Sequence, residues 1–494
     1  MKKSVKQRIV TGFLSITMGI ALLTGCGNNQ KAETSNGEVN KTESSQTEGT
    51  QAETSKTNGG QAASGKTITV NFWTAPEQYN LDIWTTYADK FNQSNTMLDG
   101  QKVEVKVQMM PAQPSSEAGI QNAIATGTVP AISENINRSF ANTLANSQAV
   151  YDISQETWFQ DIVKEREIGD VMKGWAIDDA QYVIPLYVNP ITYCYNSKAL
   201  KTLGFDQVPQ TMEDFHKLLN SFAEQQEELK GLGVTHFMYR AELLNSANYW
   251  ERWFDIESPY DAFSQGTPLV DGNTLTADRE ALQKVFEFYG AMGDSLLTGT
   301  IDGIWQKSTV PVVMGEGLPW EVSANNAAGK VYGLEGDYVF GPTLVENEAD
   351  THYNYADSKG IVLYKNAKIT EEEHQGAIEF LKFVFTGEGK DTFDLDWLNA
   401  TTMLPVRGDL DTNETLKAYF DQNLALKDIS TYVADGVPGM ANEKVADIMI
   451  ALGEKAVIPF VNEVTMKNGI NENPDVSKYA DAAMEAMKAA GGLD

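Results

Sequence analysis

Apolar and polar residues alternate at Ile68, Val70 and Phe72, the period of a half-buried strand. Leu81, Trp84, Ala88 and Phe91 then recur at helical spacing, with Trp84 on the core-facing side, and Val103, Val105, Val107 and Met109 alternate again. Strand, helix and strand in that order predict a parallel pair joined by a right-handed crossover. Thr211 stands three residues before Asp214, a capping-box start, and Phe215, Leu218, Leu219 and Phe222 give the helix that follows its apolar stripe. Ala377, Phe380, Leu381, Val384 and Phe385 form another stripe that ends before Gly387. The last helix is expected to open with Asn473 as cap and Pro474 in its first turn. Val476, Tyr479, Ala480, Ala483, Met484 and Met487 would face inward, and Gly491 would close it. There is no internal repeat. The pattern places the folded part in the α/β class.

The first residues carry a different pattern. Lys2, Lys3, Lys6 and Arg8 precede a short apolar stretch from Phe13 to Leu23, flanked like an export signal. It ends in Leu23-Thr24-Gly25-Cys26, which resembles the lipobox of bacterial lipoproteins. The resemblance implies a signal peptide over 1–25 and lipid on Cys26, with several acyl chains giving durable anchoring. The plainer alternative is an ordinary export signal with a chance cysteine. Residues 26–66 are rich in Ser, Thr, Gly, Asn, Gln, Glu and Lys; beyond Cys26 Val39 is the only branched aliphatic residue and no aromatic occurs. Such a segment buries too little to offset ordering and reads as a tether. No later run is long and apolar enough to cross a bilayer.

The remainder, from Thr67 to Asp494, is too long for a single core and predicts two lobes. The chain has two cysteines; with Cys26 lipidated, Cys194 has no partner for an intrachain disulfide. The net charge of −30 disfavours nucleic acid and anionic lipid surfaces as partners.

Several stretches resemble family 1 extracellular solute-binding proteins, which include the maltose-binding protein and many oligosaccharide binders. Gln121 to Pro130 looks like the family's helix and turn after the second strand. Ile184-Pro185-Leu186-Tyr187, leading into Tyr193-Cys194-Tyr195-Asn196-Ser197-Lys198, is similar to its first crossing between lobes. Leu203-Gly204-Phe205, Val208-Pro209-Gln210-Thr211 and Asp214-Phe215 continue the pattern, and Thr402 to Arg407 resembles the late return to the second lobe. The resemblance spans Ile68 to Asp494. It implies a type II periplasmic-binding-protein fold with discontinuous lobes, 67–188 with 345–403 and 189–344 with 404–494. A ligand would lie in the cleft between them, and hinge closure would bury it. The expected partners are a small-molecule solute, the permease subunits of an ABC importer and, through lipid, the outer face of a bacterial, Gram-positive cell membrane.

A sugar has apolar C–H faces that pack on flat rings and hydroxyls that need planar polar partners. Trp73 ends the first strand and Glu77 follows; strand ends gather ligands in parallel sheets, although a core indole and a solvated carboxylate fit equally. Asn137 and Arg138 fall where the maltose-binding pattern has an Asp-Arg pair, and the Asn leaves the particular sugar open; the alternative is a surface loop arginine. Tyr187 and Asn189 lie in the first hinge, where the family can place a Glu at position 189. Tyr249, Trp250 and Trp253 form the densest aromatic cluster, in a region that supplies a stacking ring in the family; one Trp is expected at the cleft and the other in the core. Leu318-Pro319-Trp320 resembles the family's Gly-Pro-Trp at another stacking position. Tyr355 and Trp397 complete the candidate ligand-binding set.

Hydrolase, zinc-protease, P-loop and dinucleotide motifs are missing. The four histidines are scattered without metal spacing. Asp409 to Glu414 mimics a calcium loop but lacks its glycine, with Phe420 at the twelfth place, and reads as a helix cap. The sequence is therefore expected to need no cofactor or metal and to bind rather than catalyse. The competing readings are a surface carbohydrate-active hydrolase, which needs two carboxylates at a set separation, and a receptor for a non-sugar solute.

Overall fold

The computed structural model describes residues 66–494 apart from Pro114 and Asp411. The signal peptide, Cys26 and the tether up to residue 65 lie outside the described residues.

With strands numbered in chain order, a first sheet holds β1 (Ile68–Thr74), β2 (Met97–Leu98), β3 (Gln101–Met109), β4 (Ile132–Ile136), β5 (Ile184–Pro190), β13 (Asn354–Leu363) and β14 (Gly436–Pro438). Its order is β14-β13-β4-β1-β3-β2, with β5 also on β13. β1 runs parallel to β3 in the register Ile68 to Val103 through Thr74 to Met109. The Gln78–Gln93 helix connects them and buries Trp84, Ala88 and Phe91, as its spacing predicts, while Ile83 and Tyr87 are buried in place of the only partly buried Leu81. Phe72 meets Trp84 edge-on at 4.7 Å, and Trp84 meets Phe393 at 4.9 Å, which locks helices onto the sheet.

A second sheet holds β6 (Thr192–Asn196), β7 (His236–Arg240), β10 (Leu296–Thr298), β11 (Val312–Gly317) and β12 (Tyr338–Gly341), in the order β10-β7-β11-β6-β12. β7, β10 and β11 are parallel, while β6 runs antiparallel to β11 and β12. β8 (Val270–Asp271) and β9 (Thr274–Leu275) form a separate hairpin. One apolar cluster surrounds the first sheet and two others cover the second.

The chain passes between the sheets at three main points and returns once more to the first sheet at β14. β5 leads into β6 through Ile191, and β12 leads to β13 through residues 342–353. The third passage runs beside β5, where Val188 N donates to Leu404 O at 2.9 Å and Val406 N to Leu186 O at 3.3 Å. It is pinned by Arg166, fully buried, which donates to both oxygens of Asp394 and to Val406 O. Such a two-pronged pair satisfies the charge that burial would otherwise penalise. β14, expected with the second lobe, pairs instead with Asn354–Ala356 of the first sheet.

The Thr211–Asp214 capping box forms on the Met212–Glu224 helix, which buries Phe215, Leu218, Leu219 and Phe222. The Glu371–Phe385 helix ends before Gly387 as expected. The last helix differs at its start. It spans Ser477–Gly491, with Gly492 in the left-handed region beyond it, and Asn473 is not its cap. Asn473 itself has φ +42, incompatible with a cap, and Asp475 instead accepts from Ser477 N. At the calcium-loop mimic, the cap of the Glu414–Gln422 helix is Asn413, while Asp409 is held by Arg407.

Candidate functional site

Ligands of parallel sheets collect beyond the carboxyl ends of the strands. In the first lobe those ends are Thr74 to Glu77 after β1 and Asn137 to Arg138 after β4; in the second they are Arg240 to Glu242 after β7 and Leu318 to Glu321 after β11.

The first-lobe wall is polar. Glu134 is buried; its Oε1 accepts from Ala75 N at 2.8 Å and from Asn80 Nδ2 at 2.9 Å. Burial raises its pKa to about 7 against these hydrogen bonds and the Lys359 charge. Lys359 donates to Asn135 Oδ1 at 2.8 Å. Asn137 caps the helix behind it by accepting from Phe140 N at 2.8 Å. Arg138 donates to Ala176 O at 2.8 Å and Gly439 O at 3.2 Å, and burial pulls its pKa down. Glu77 is exposed at the start of the Gln78–Gln93 helix. Burial, with the Glu77 and Glu134 charges, pushes the neighbouring Tyr79 phenol up to about 12.

The second-lobe wall is aromatic and acidic. Tyr249 meets Trp250 at 5.4 Å and Trp253 at 5.5 Å, both edge-on. Trp253 stacks on Tyr355, contributed by β13 of the first sheet, at 5.6 Å, and Phe254 links Tyr355 at 6.4 Å to Trp320 at 6.0 Å. Trp250 is 41% exposed and Trp320 half-buried, whereas Trp253 is buried. One indole of the 250/253 pair thus faces solvent and the other packs inward. Buried Arg240 pairs with Glu316 at 2.6 Å, and buried Arg252 pairs with Asp255. Glu251 is pushed up to about 7 by burial and by the charges of Glu316, Asp255 and Glu242. Glu321, beside Trp320, is raised to about 8 by burial and by Glu316.

The two walls touch. Tyr249 OH donates to Glu117 Oε1 at 3.3 Å, and Asn137 Nδ2 reaches the same oxygen at 3.4 Å. Thr402, on the third passage, donates to Pro319 O at 3.0 Å and so fixes the turn that carries Trp320.

Tyr249, Trp250, Trp253, Trp320 and Tyr355 therefore form one run of rings, and Asn137 and Arg138 lie across from it. Asn189 is buried within β5, where its Oδ1 accepts from Leu404 N at 3.1 Å. Tyr187 is buried and lies parallel to Trp397 at 6.2 Å. Trp397 has no exposed face, and Trp73 is buried in the first-lobe cluster, so neither indole offers a free face to a solute. Sequence reasoning passed over Phe254, Glu117, Glu134, Glu251 and Glu321. Glu251 and Glu321 sit beside residues that were singled out, so adjacency was the available signal. Phe254 owes its place to partners far along the chain.

A cavity of about 1000 Å³ opens elsewhere, lined by Trp175, Val188, Ala356, Ser358, Phe420 and Val433. Strand residues alternate in direction, so Val188, Ala356 and Ser358 face away from Tyr187, Asn189 and Asp357. No ring of the aromatic wall lines it. Size alone does not outweigh the strand-end placement of the other site. Among the described residues no group of three or more His, Cys, Asp or Glu is placed to hold a metal ion.

The chain matches the sequence model of bacterial extracellular solute-binding proteins over residues 86–422. No curated protein matches it. It is 31% identical to an uncharacterized protein of Listeria monocytogenes EGD-e, with a TM-score of 0.71 over 86% of this chain and 99% of that one. The fold is shared with the cyclic alpha-maltosyl-1,6-maltose binding protein of Arthrobacter globiformis, at 14% identity, TM-score 0.65, and 86% and 99% coverage. It is also shared with UgpB of Mycobacterium tuberculosis in complex with glycerophosphocholine, at 16% identity, TM-score 0.60, and 86% and 98% coverage. With two α/β lobes joined by three main passages, the chain has a type II periplasmic-binding-protein-like fold and belongs to the bacterial extracellular solute-binding protein family.

Proposed function

We propose that this protein is the receptor of an ABC importer, anchored by lipid on Cys26, that captures a sugar or oligosaccharide between its lobes and delivers it to the permease. It binds and releases its solute without altering it. The observation that carries the reading is the run of rings Trp250, Tyr249, Trp253, Tyr355, Phe254 and Trp320 at the strand ends of the cleft, with carboxylates interleaved. Rings accept the apolar faces of a saccharide, and carboxylates accept hydrogen bonds from its hydroxyls. The hinge consists of the three main passages, with 67–188, 345–403 and β14 in one lobe and 189–344 and the rest of 404–494 in the other. The sugar-binding name of one structural relative, the cyclic alpha-maltosyl-1,6-maltose binding protein, supports the choice of solute.

A thermal-shift screen across a saccharide library tests this. A tight ligand should raise the melting temperature with concentration, since binding stabilises the folded state by mass action. Chromatography of the same mixtures should give no new products. A library without a single stabilising saccharide, or one that is cleaved, would contradict the proposal. For the anchor, Cys26→Ala should move the protein from the membrane fraction to the medium or leave it unprocessed; unchanged retention at mature mass would exclude lipidation.

A further inference from the structure

The two strands at the hinge, β5 and β13, show different faces to the two sides of the molecule. Their side chains alternate, so Val188, Ala356 and Ser358 line the large cavity while Asn189, Tyr355, Asp357 and Lys359 belong to the opposite face. Tyr355 is a member of the run of rings, and Asp357 stands two residues further along the same strand, about 7 Å away on the same face. The register sets Asp357 opposite Asn189 and Lys359 opposite Tyr187. Asp357 and Asn189 therefore meet across the ladder beside the rings, with Cβ atoms about 5 Å apart.

Neither side chain has its full set of partners. Asn189 is fully buried and its amide is oriented, because Oδ1 accepts from Leu404 N at 3.1 Å. Its Nδ2 then has no hydrogen-bond partner, a costly state for a buried donor. Asp357 is half-buried and forms no ion pair among the described residues. Lys359, the cation two residues on, donates instead to Asn135 Oδ1 at 2.8 Å. Burial raises the Asp357 pKa, opposed by the Lys359 charge and the Asn189 amide. Carboxylate and amide thus lie close to each other without a hydrogen bond of ordinary geometry between them.

A hydroxyl suits such a pair, since it has a hydrogen for the carboxylate and lone pairs for the amide. An ether oxygen lacks the hydrogen and an ammonium lacks the lone pair. Water has the same capacity as a hydroxyl, and a solute hydroxyl in that position would replace it. We infer that Asp357 and Asn189 hold one hydroxyl of the solute between them, the hydroxyl donating to the Asp357 carboxylate and accepting from Asn189 Nδ2. This rests on the saccharide reading of the cleft and names the group by which the sugar is held. The rings take the apolar face of the sugar, and the hinge strands take this hydroxyl.

Calorimetric titration with maltotriose tests the inference, or, where maltotriose does not bind, with the tightest saccharide of the thermal-shift library. Asp357→Ala should weaken that sugar about thirtyfold, while the ligand-free protein melts at or above the native temperature because an unpaired carboxylate has been removed. Monodeoxy forms of the same sugar locate the hydroxyl. One of them should bind the native protein about thirtyfold more weakly than the parent sugar, yet lose less than about threefold on the Asp357→Ala background. Asp357→Ala affinity within about threefold of native, or monodeoxy losses that all survive the substitution, would overturn the inference and leave the sugar reading intact. A lowered ligand-free melting temperature with equal losses for parent and monodeoxy sugars would make Asp357 a brace of the hinge strands and overturn it too. A library without a single binder would remove the sugar reading and the inference with it.

Discussion

On the first-lobe wall of the cleft nearly every polar group is already in use. Glu134 holds Ala75 N and Asn80, Asn137 caps a helix, and Arg138 braces two backbone carbonyls. On the second-lobe wall Trp250 and Trp320 keep open faces, and the carboxylates outnumber their cations. On the proposed reading the contrast assigns different work to the lobes: the first would supply a pre-satisfied floor and the second the surface on which a solute gains most of its contact area. Arg138, which suits a sugar by type, braces two carbonyls through its Nη atoms while its buried Nε has no hydrogen-bond partner.

The contrast can be broken at defined points. Trp397→Ala has the largest expected effect: a fully buried indole among Phe393 and Tyr187 is lost, which should cost roughly 3–5 kcal/mol of stability in a denaturant titration and leave the intrinsic affinity of the folded protein unchanged. Glu257 tests the rear of the aromatic wall. It is buried with Asp261, Glu257 Oε2 and both Asp261 oxygens lack partners, and burial raises the Glu257 pKa to about 8. The folded chain then keeps a proton that the unfolded chain loses, so stability should fall as pH rises from the ordinary carboxylate range towards about 8, and further as buried Asp261, also raised, gives up its proton. Glu257→Gln should flatten that fall, by about 1–3 kcal/mol at pH 8. An unchanged pH profile would mean that the carboxyl is solvated. Trp250→Ala has the smallest expected effect. Its ring is 41% exposed at the edge of the run, so stability should change by less than about 0.5 kcal/mol and affinity by a few-fold at most.

The strands, helices and passages were legible because each rests on a local rule. The alternation at Ile68 to Phe72 and Val103 to Met109 became β1 and β3, and Thr211 with Asp214 formed its box. The start of the last helix was misread because Asn and Pro make a good helix opening in general, whereas Asn473 adopts φ +42 and the helix starts at Ser477, whose N donates to Asp475. For the site, the aromatic density at 249–253 and the Leu318-Pro319-Trp320 resemblance pointed to rings that the structure brings into one run. Residue type could not separate Trp397 and Trp73 from them, because burial of a tryptophan is decided by which helices pack over it. Nor could it find Phe254 or Glu117, whose partners Trp320, Tyr355 and Tyr249 are distant in sequence.

The central claim is that the second-lobe rings bind the solute, and Trp320 tests it most directly. It is half-buried in a turn fixed by Pro319 and Thr402, and it touches only Phe254 among the wall's rings. Affinity for the best saccharide of the library and ligand-free melting temperature should both be measured on Trp320→Ala. The account predicts an affinity loss of roughly 2 kcal/mol, about thirtyfold, with a melting temperature close to that of the native protein. Intact affinity with a core-sized loss of stability would place Trp320 in the core and contradict the account.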